Sequence, residues 1–115
     1  MKTLILGHGR KYSLEDVRCS YYPVENWYNT EYMCVDIDEN VSPDIIFDLK
    51  KTDWTFCEEN EYDLIVDTCG LALFLIRGYS PFFRKNILKS LNEGGKFYGW
   101  KKTVWTKING ELISL

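Results

Sequence analysis

The chain has three prolines, one histidine and no apolar run near the ~20 residues that a helix needs to cross a bilayer. A single histidine leaves a zinc site without its usual ligand set. The four cysteines, Cys19, Cys34, Cys57 and Cys69, are far apart and form no C-x-x-C pair. Scattered thiols of this kind fit an intracellular, cytoplasmic protein in which most of them are buried and reduced. A secretory signal is not expected either, because Lys2 leads into an apolar run of strand length rather than a longer one with a small-residue cleavage site. There is no internal repeat, low-complexity tract or linker.

What is present suits one domain spanning residues 1–115, large enough for a single core. Hydrophobic residues make up 45% and charged residues 27%, which excludes wholesale disorder. Aromatics reach 16%, so large rings are expected to fill much of the core. The net charge of −3 is uneven. Residues 1–60 hold six Lys/Arg against twelve Asp/Glu, and residues 61–115 hold eight against five. The basic end therefore needs its own explanation.

Thr3–Leu6 is an apolar run without polar alternation, as in a strand buried on both faces of a parallel sheet. Gly7 and Gly9 follow it and allow a tight turn with close approach of a ligand to the backbone. Ser13 can cap a brief helix with Leu14, Val17 and Tyr21 on one face, ended by Pro23. Tyr32–Ile37 reads as a second strand, Asp44–Leu49 as a third short apolar run, and Tyr62–Asp67 as a fourth strand. Ser80 and Pro81 open the clearest helix, with Phe83, Ile87, Leu88 and Leu91 on one face and Gly94 as its stop. Lys96–Trp100 is a fifth strand. Thr103–Ile108 and Glu111–Leu115 flank Asn109-Gly110, a two-residue hairpin signal. The expected fold is α/β: an open, mainly parallel, Rossmann-like sheet of about five strands with a C-terminal antiparallel hairpin.

Ligands of such sheets bind beyond the carboxyl ends of the strands. Those ends carry Gly7-His8-Gly9, Asp36 with Asp38, Asp48-Leu49, and Asp67. A carboxylate at the second strand end can accept from both hydroxyls of a ribose and disfavours a 2′-phosphate. Asp48 can accept from the exocyclic amine of an adenine. Aspartates also favour strand ends for a purely local reason, since they bond nearby backbone groups in turns.

This arrangement resembles the class I S-adenosylmethionine-dependent methyltransferases. The matching pieces are L-I-L-G-H-G-R, C-V-D-I-D, F-D-L, Y-D-L-I-V-D-T, and the late run F-F-R-K-N-I-L-K-S-L-N-E-G-G-K-F-Y. The resemblance implies that S-adenosylmethionine is the cofactor, with Gly7, His8 and Gly9 facing its methionine part. Asp36 would hold the ribose and Ile37 would pack on the adenine. Asp48 and Leu49 would mark the amine edge of the base, and Asp67 would lie near the transferable methyl or the cofactor's amino group. The glycine loop departs from the family in lacking a preceding acidic residue and a third glycine. The segment that in the family precedes the first strand and covers the cofactor is not expected here.

The leading expectation is thus a methyltransferase domain acting on a small molecule or a nucleic acid. The alternative is an inactive protein of the same fold serving as a binding or stimulatory subunit, with a protein partner or a second copy completing the pocket. An NAD-binding domain is a third reading, weakened by the short glycine pattern. No residue is assigned as catalytic. Cys69 suits a buried thiol better than a nucleophile, because no basic neighbour activates it. His8 suits a loop residue near the cofactor better than a general base. The stretch Lys96–Lys107 interleaves Trp100 and Trp105 with Lys101, Lys102 and Lys107, a pattern suited either to single-stranded RNA or to a lysine-protected sheet edge.

Overall fold

The computed structural model describes residues 2–7, 31–41, 43–49, 53–67, 81–99 and 104–115. Their seven strands are β1 (Lys2–Leu6), β2 (Glu31–Asp36), β3 (Ile45–Ile46), β4 (Tyr62–Asp67), β5 (Leu91–Tyr98), β6 (Val104–Ile108) and β7 (Glu111–Ser114). One α-helix among the described residues, α1 (Pro81–Ser90), runs straight into β5. The strands form a single sheet in the order β3-β2-β1-β4-β5-β6-β7. The first five are parallel and the last two are added antiparallel.

This corrects the expected Rossmann-like α/β fold of about five strands. The sheet is mixed and has seven strands, and strand far outweighs helix among the described residues. Two physical causes are visible. From Leu91 onward the described residues are nearly all strand, because the closing hairpin pairs directly onto β5. Among the described residues, the connections on either side of β3 also hold no α-helix: the 3-10 turn Glu39–Val41 lies between β2 and β3, and residues 53–61 make turns around Trp54. The helix expected from Ser13 lies outside the described residues, as does the capping Ser80.

The period-two pleat divides the apolar side chains between two faces. Leu4, Leu6, Val35, Ile65, Phe97 and Trp105 look toward α1, together with Trp54 and Leu112. Ile5, Cys34, Leu64 and Val66 lie on the reverse face with Tyr98. The α1 face is built from rings in sequence. Phe47 meets Phe56 at 4.9 Å between centroids, Phe56 stacks on Trp54 at 5.6 Å, and Trp54 meets Phe83 at 5.6 Å. Phe83 then meets Phe97 at 6.3 Å, and Phe97 lies 5.5 Å from Trp105. The fully buried Trp54 donates from Nε1 to the Leu49 carbonyl at 3.0 Å, so its one polar atom is satisfied.

Helix α1 ends at Ser90, earlier than Gly94 would suggest. Gly94 has φ +80°, but it serves an irregularity in β5 rather than a helix cap. Tyr62 pairs with Leu91 while Leu64 pairs with Lys96, so four residues of β5 lie opposite Asp63 alone. The helix terminus is capped from a distance instead. Lys107 Nζ, on β6, donates to the carbonyls of Leu88 at 2.7 Å and Leu91 at 2.8 Å, and to Asn60 Oδ1 at 3.0 Å. A cation on the terminal carbonyls also complements the helix dipole.

Candidate functional site

The register of the parallel strands determines what meets at their carboxyl ends. Leu6 pairs with Val35 on one side and Asp67 on the other, and Asp36 pairs with Ile46. With neighbouring strands about 4.8 Å apart, Gly7, Asp36 and Asp67 share one edge within about 10 Å laterally. The order of strands reverses here. From β1 the chain adds β2 and β3 to one side, then returns to add β4 and β5 on the other. In doubly wound sheets, ligands bind at the strand ends beside such a reversal.

Gly7 closes β1 with φ +64°, a conformation that strongly favours glycine, and its N–H donates to the Val35 carbonyl at 2.8 Å. Asp36 is half-buried, and its Oδ1 accepts from the Asp38 N–H at 3.0 Å. Asp38 repeats the motif, with Oδ1 accepting from Asn40 N at 2.9 Å and Asn40 Nδ2 at 3.1 Å. Both carboxylates therefore shape the turn that follows β2. Beside them stand two exposed isoleucines, Ile37 at 63% and Ile46 at 59%. An acidic group flanked by uncovered apolar surface is the chemistry that a sugar joined to a flat base requires.

Asp67 ends β4 almost wholly buried, 1% exposed. By alternation it shares its face with Ile65, whereas Asp36 shares the opposite face with Cys34. The two aspartates meet at one edge but on different sides of the sheet, so they would touch different parts of a ligand lying across the strand tips. Asp48 is half-buried two residues beyond β3. Leu49 turns inward into the α1-side core, where its carbonyl holds Trp54. His8 and Gly9 lie outside the described residues.

The structure thus gathers Gly7, Asp36, Ile37 and Asp67 at one edge and places Leu49 in the core. Ile46 was not singled out by the sequence reading. Its signal was the alternation in D-I-I-F-D, where Ile45 packs against the core and the next residue faces out. Among the described residues no group of three or more His, Cys, Asp or Glu side chains is placed to hold a metal ion. None of their helices is long and apolar enough to cross a membrane.

The thiols of this region are quiet. Cys34 is buried beside Asp44, whose carboxylate accepts from the Cys34 N–H at 2.8 Å. Burial, with a smaller contribution from that carboxylate, pushes the thiol up to about 12. Cys57 is raised by burial and lies 2.9 Å from Ser90 Oγ. Cys69 lies outside the described residues. The lysine-aromatic stretch divides in the same way. Trp105 is in the core and Lys107 is bound to α1, Lys96 is exposed, and Trp100, Lys101 and Lys102 lie outside the described residues. No family model, curated protein or solved structure matches the chain.

Proposed function

We propose that the carboxyl edge formed by β1, β2 and β4 binds S-adenosylmethionine and that the chain is a methyltransferase acting on a small-molecule or nucleic-acid acceptor. The observation that carries this reading is the meeting of Gly7, half-buried Asp36 and exposed Ile37 where the strand order reverses. The donor set fits the group. Asp36 accepts from the ribose hydroxyls, and Ile37 with Ile46 offers apolar surface to the adenine. The turn at Gly7 brings main chain, rather than a side chain, toward the methionine part. When bound, the cofactor supplies a methyl group on a sulfonium, and the chain's task is to orient it and exclude water.

A binding role without transfer remains the second reading, favoured by the use of Asp36 and Asp38 as turn formers. Calorimetric titration with S-adenosylhomocysteine and with NAD tests the first step. Saturable binding of the former, lost in Asp36→Ala, supports the proposal. Binding of NAD alone, or of neither, overturns it. A product assay on candidate acceptors then separates transfer from binding alone.

A further inference from the structure

The reverse face of β5, β6 and β7 is arranged unlike the rest of the sheet. Pairing places Tyr98 beside Val104, and the Leu115 N–H donates to the Val104 carbonyl at 2.8 Å, which extends that row to Leu115. The next row is Lys96, Thr106 and Ile113, and the last holds Ile108 and Glu111. Leu115 is 70% exposed, Ile108 46% and Ile113 41%. These three side chains form an exposed apolar patch around the buried Thr106, and such surfaces mark interaction sites. A basic residue stands on its β5 flank and an acidic one on its β7 flank. Lys96 and Glu111 are both exposed, and neither forms an ion pair among the described residues.

Next to this surface lies a depression of about 530 Å³, lined in part by Leu64, Gly94, Gly95, Lys96 and Tyr98. It sits beside the irregular stretch of β5. At Gly94 the space is open, with nothing within 4 Å of where a Cβ would stand. The protruding apolar column on β7 and the hollow along β5 therefore flank β6 on either side.

We propose that a second copy of this chain packs on this face, with a twofold axis running along β6. That operation lays β7 of one copy over β5 of the other. Leu115 then sits over Tyr98 and Ile113 over the Lys96 stem, which fills the hollow. Glu111 falls over Gly94, one row from Lys96, within reach of its ammonium group. The same contacts recur in reverse, as an isologous interface demands. Charge and shape are thus self-complementary, and this singles out a second copy over an unrelated partner. The face is small beside the ~800 Å² per partner of a standard interface, so the association is weak.

Sedimentation velocity from micromolar to near-millimolar concentration tests the proposal. The wild-type chain self-associates, and Ile113→Asp abolishes the association. Lys96→Glu and Glu111→Lys each weaken it about tenfold, and the double variant restores it. All four variants are first shown to keep the wild-type urea midpoint to within a small shift, because every altered residue is exposed or on the surface row. A chain that stays monomeric throughout overturns the proposal, as does a dimer indifferent to both charge reversals.

Discussion

The two ends of the parallel strands treat their charged residues differently. At the amino end, charges are tied to distant parts of the chain. Lys2 Nζ pairs with Glu61 at 2.8 Å, while Asp63 accepts from the Lys2 N–H at 2.9 Å and from Asn92 Nδ2 at 2.8 Å. Glu93 accepts from the N–H groups of Asn109 and Gly110 and so fastens the hairpin turn. Lys107 caps α1. These bonds join β1, β4, β5, α1 and the hairpin. At the carboxyl end, Asp36 and Asp38 each accept from a residue two positions further on, and two isoleucines lie uncovered beside them. The difference is one of reach: polar groups at the amino end join distant elements, whereas Asp36 and Asp38 shape the turn after β2, where the proposed ligand would bind.

Substitutions can break or sharpen this contrast. The largest effect is expected at the amino end. Lys107→Met leaves the Leu88 and Leu91 carbonyls without their cation and should cost about 1.5–3 kcal/mol of stability by urea unfolding. S-adenosylhomocysteine affinity should stay at the wild-type value. Gly95→Ala should cost about 1–3 kcal/mol, since a Cβ there would meet the Asn92 carbonyl oxygen at 2.8 Å and Leu91 Cγ at 2.9 Å. At the carboxyl end, Asp36→Ala should weaken ligand binding at least tenfold, about 1.4 kcal/mol, in calorimetry.

The smallest effect concerns acid. The hydrogen bonds from the Lys2 N–H and Asn92 hold the Asp63 carboxyl below its ordinary value of 3.8. Glu61 is also lowered: burial acts to raise it, but its bonds to Lys2 and the Glu58 N–H prevail. Groups depressed in this way contribute stability that is complete above their unfolded values and is lost as pH falls through the folded ones. The urea midpoint should therefore decline below about pH 4. Asp63→Asn should flatten part of that slope.

Local signals carried far in this sequence. Tyr62–Asp67 folds as a strand with the bounds its pattern implied, Pro81 opens α1, and Asn109-Gly110 makes the hairpin turn with Asn109 at φ +50°. Long-range roles were not legible. Nothing near Lys107 in the chain announces that it caps a helix some twenty residues earlier, so its stretch read as either an RNA contact or a lysine-protected sheet edge. Gly94 read as a helix stop because a left-handed glycine serves a cap and a strand irregularity equally well, and only the pairing of Tyr62 with Leu91 decides between them. At the candidate site, the meeting of Gly7, Asp36 and Asp67 follows from strand ends visible in the sequence. The opposite facing of the two aspartates depends on the register of β1 against β2 and β4, which no local pattern encodes.

The central claim is that the carboxyl edge, and not the amino edge, receives an adenosine-bearing ligand. An amide NMR titration with S-adenosylhomocysteine reads both edges at once. The account predicts saturable shifts at Gly7, Asp36, Ile37 and Asp48, with Asn60, Asn92 and Asn109 unmoved. Shifts confined to the amino-end residues, or no shifts at saturating ligand, would contradict it.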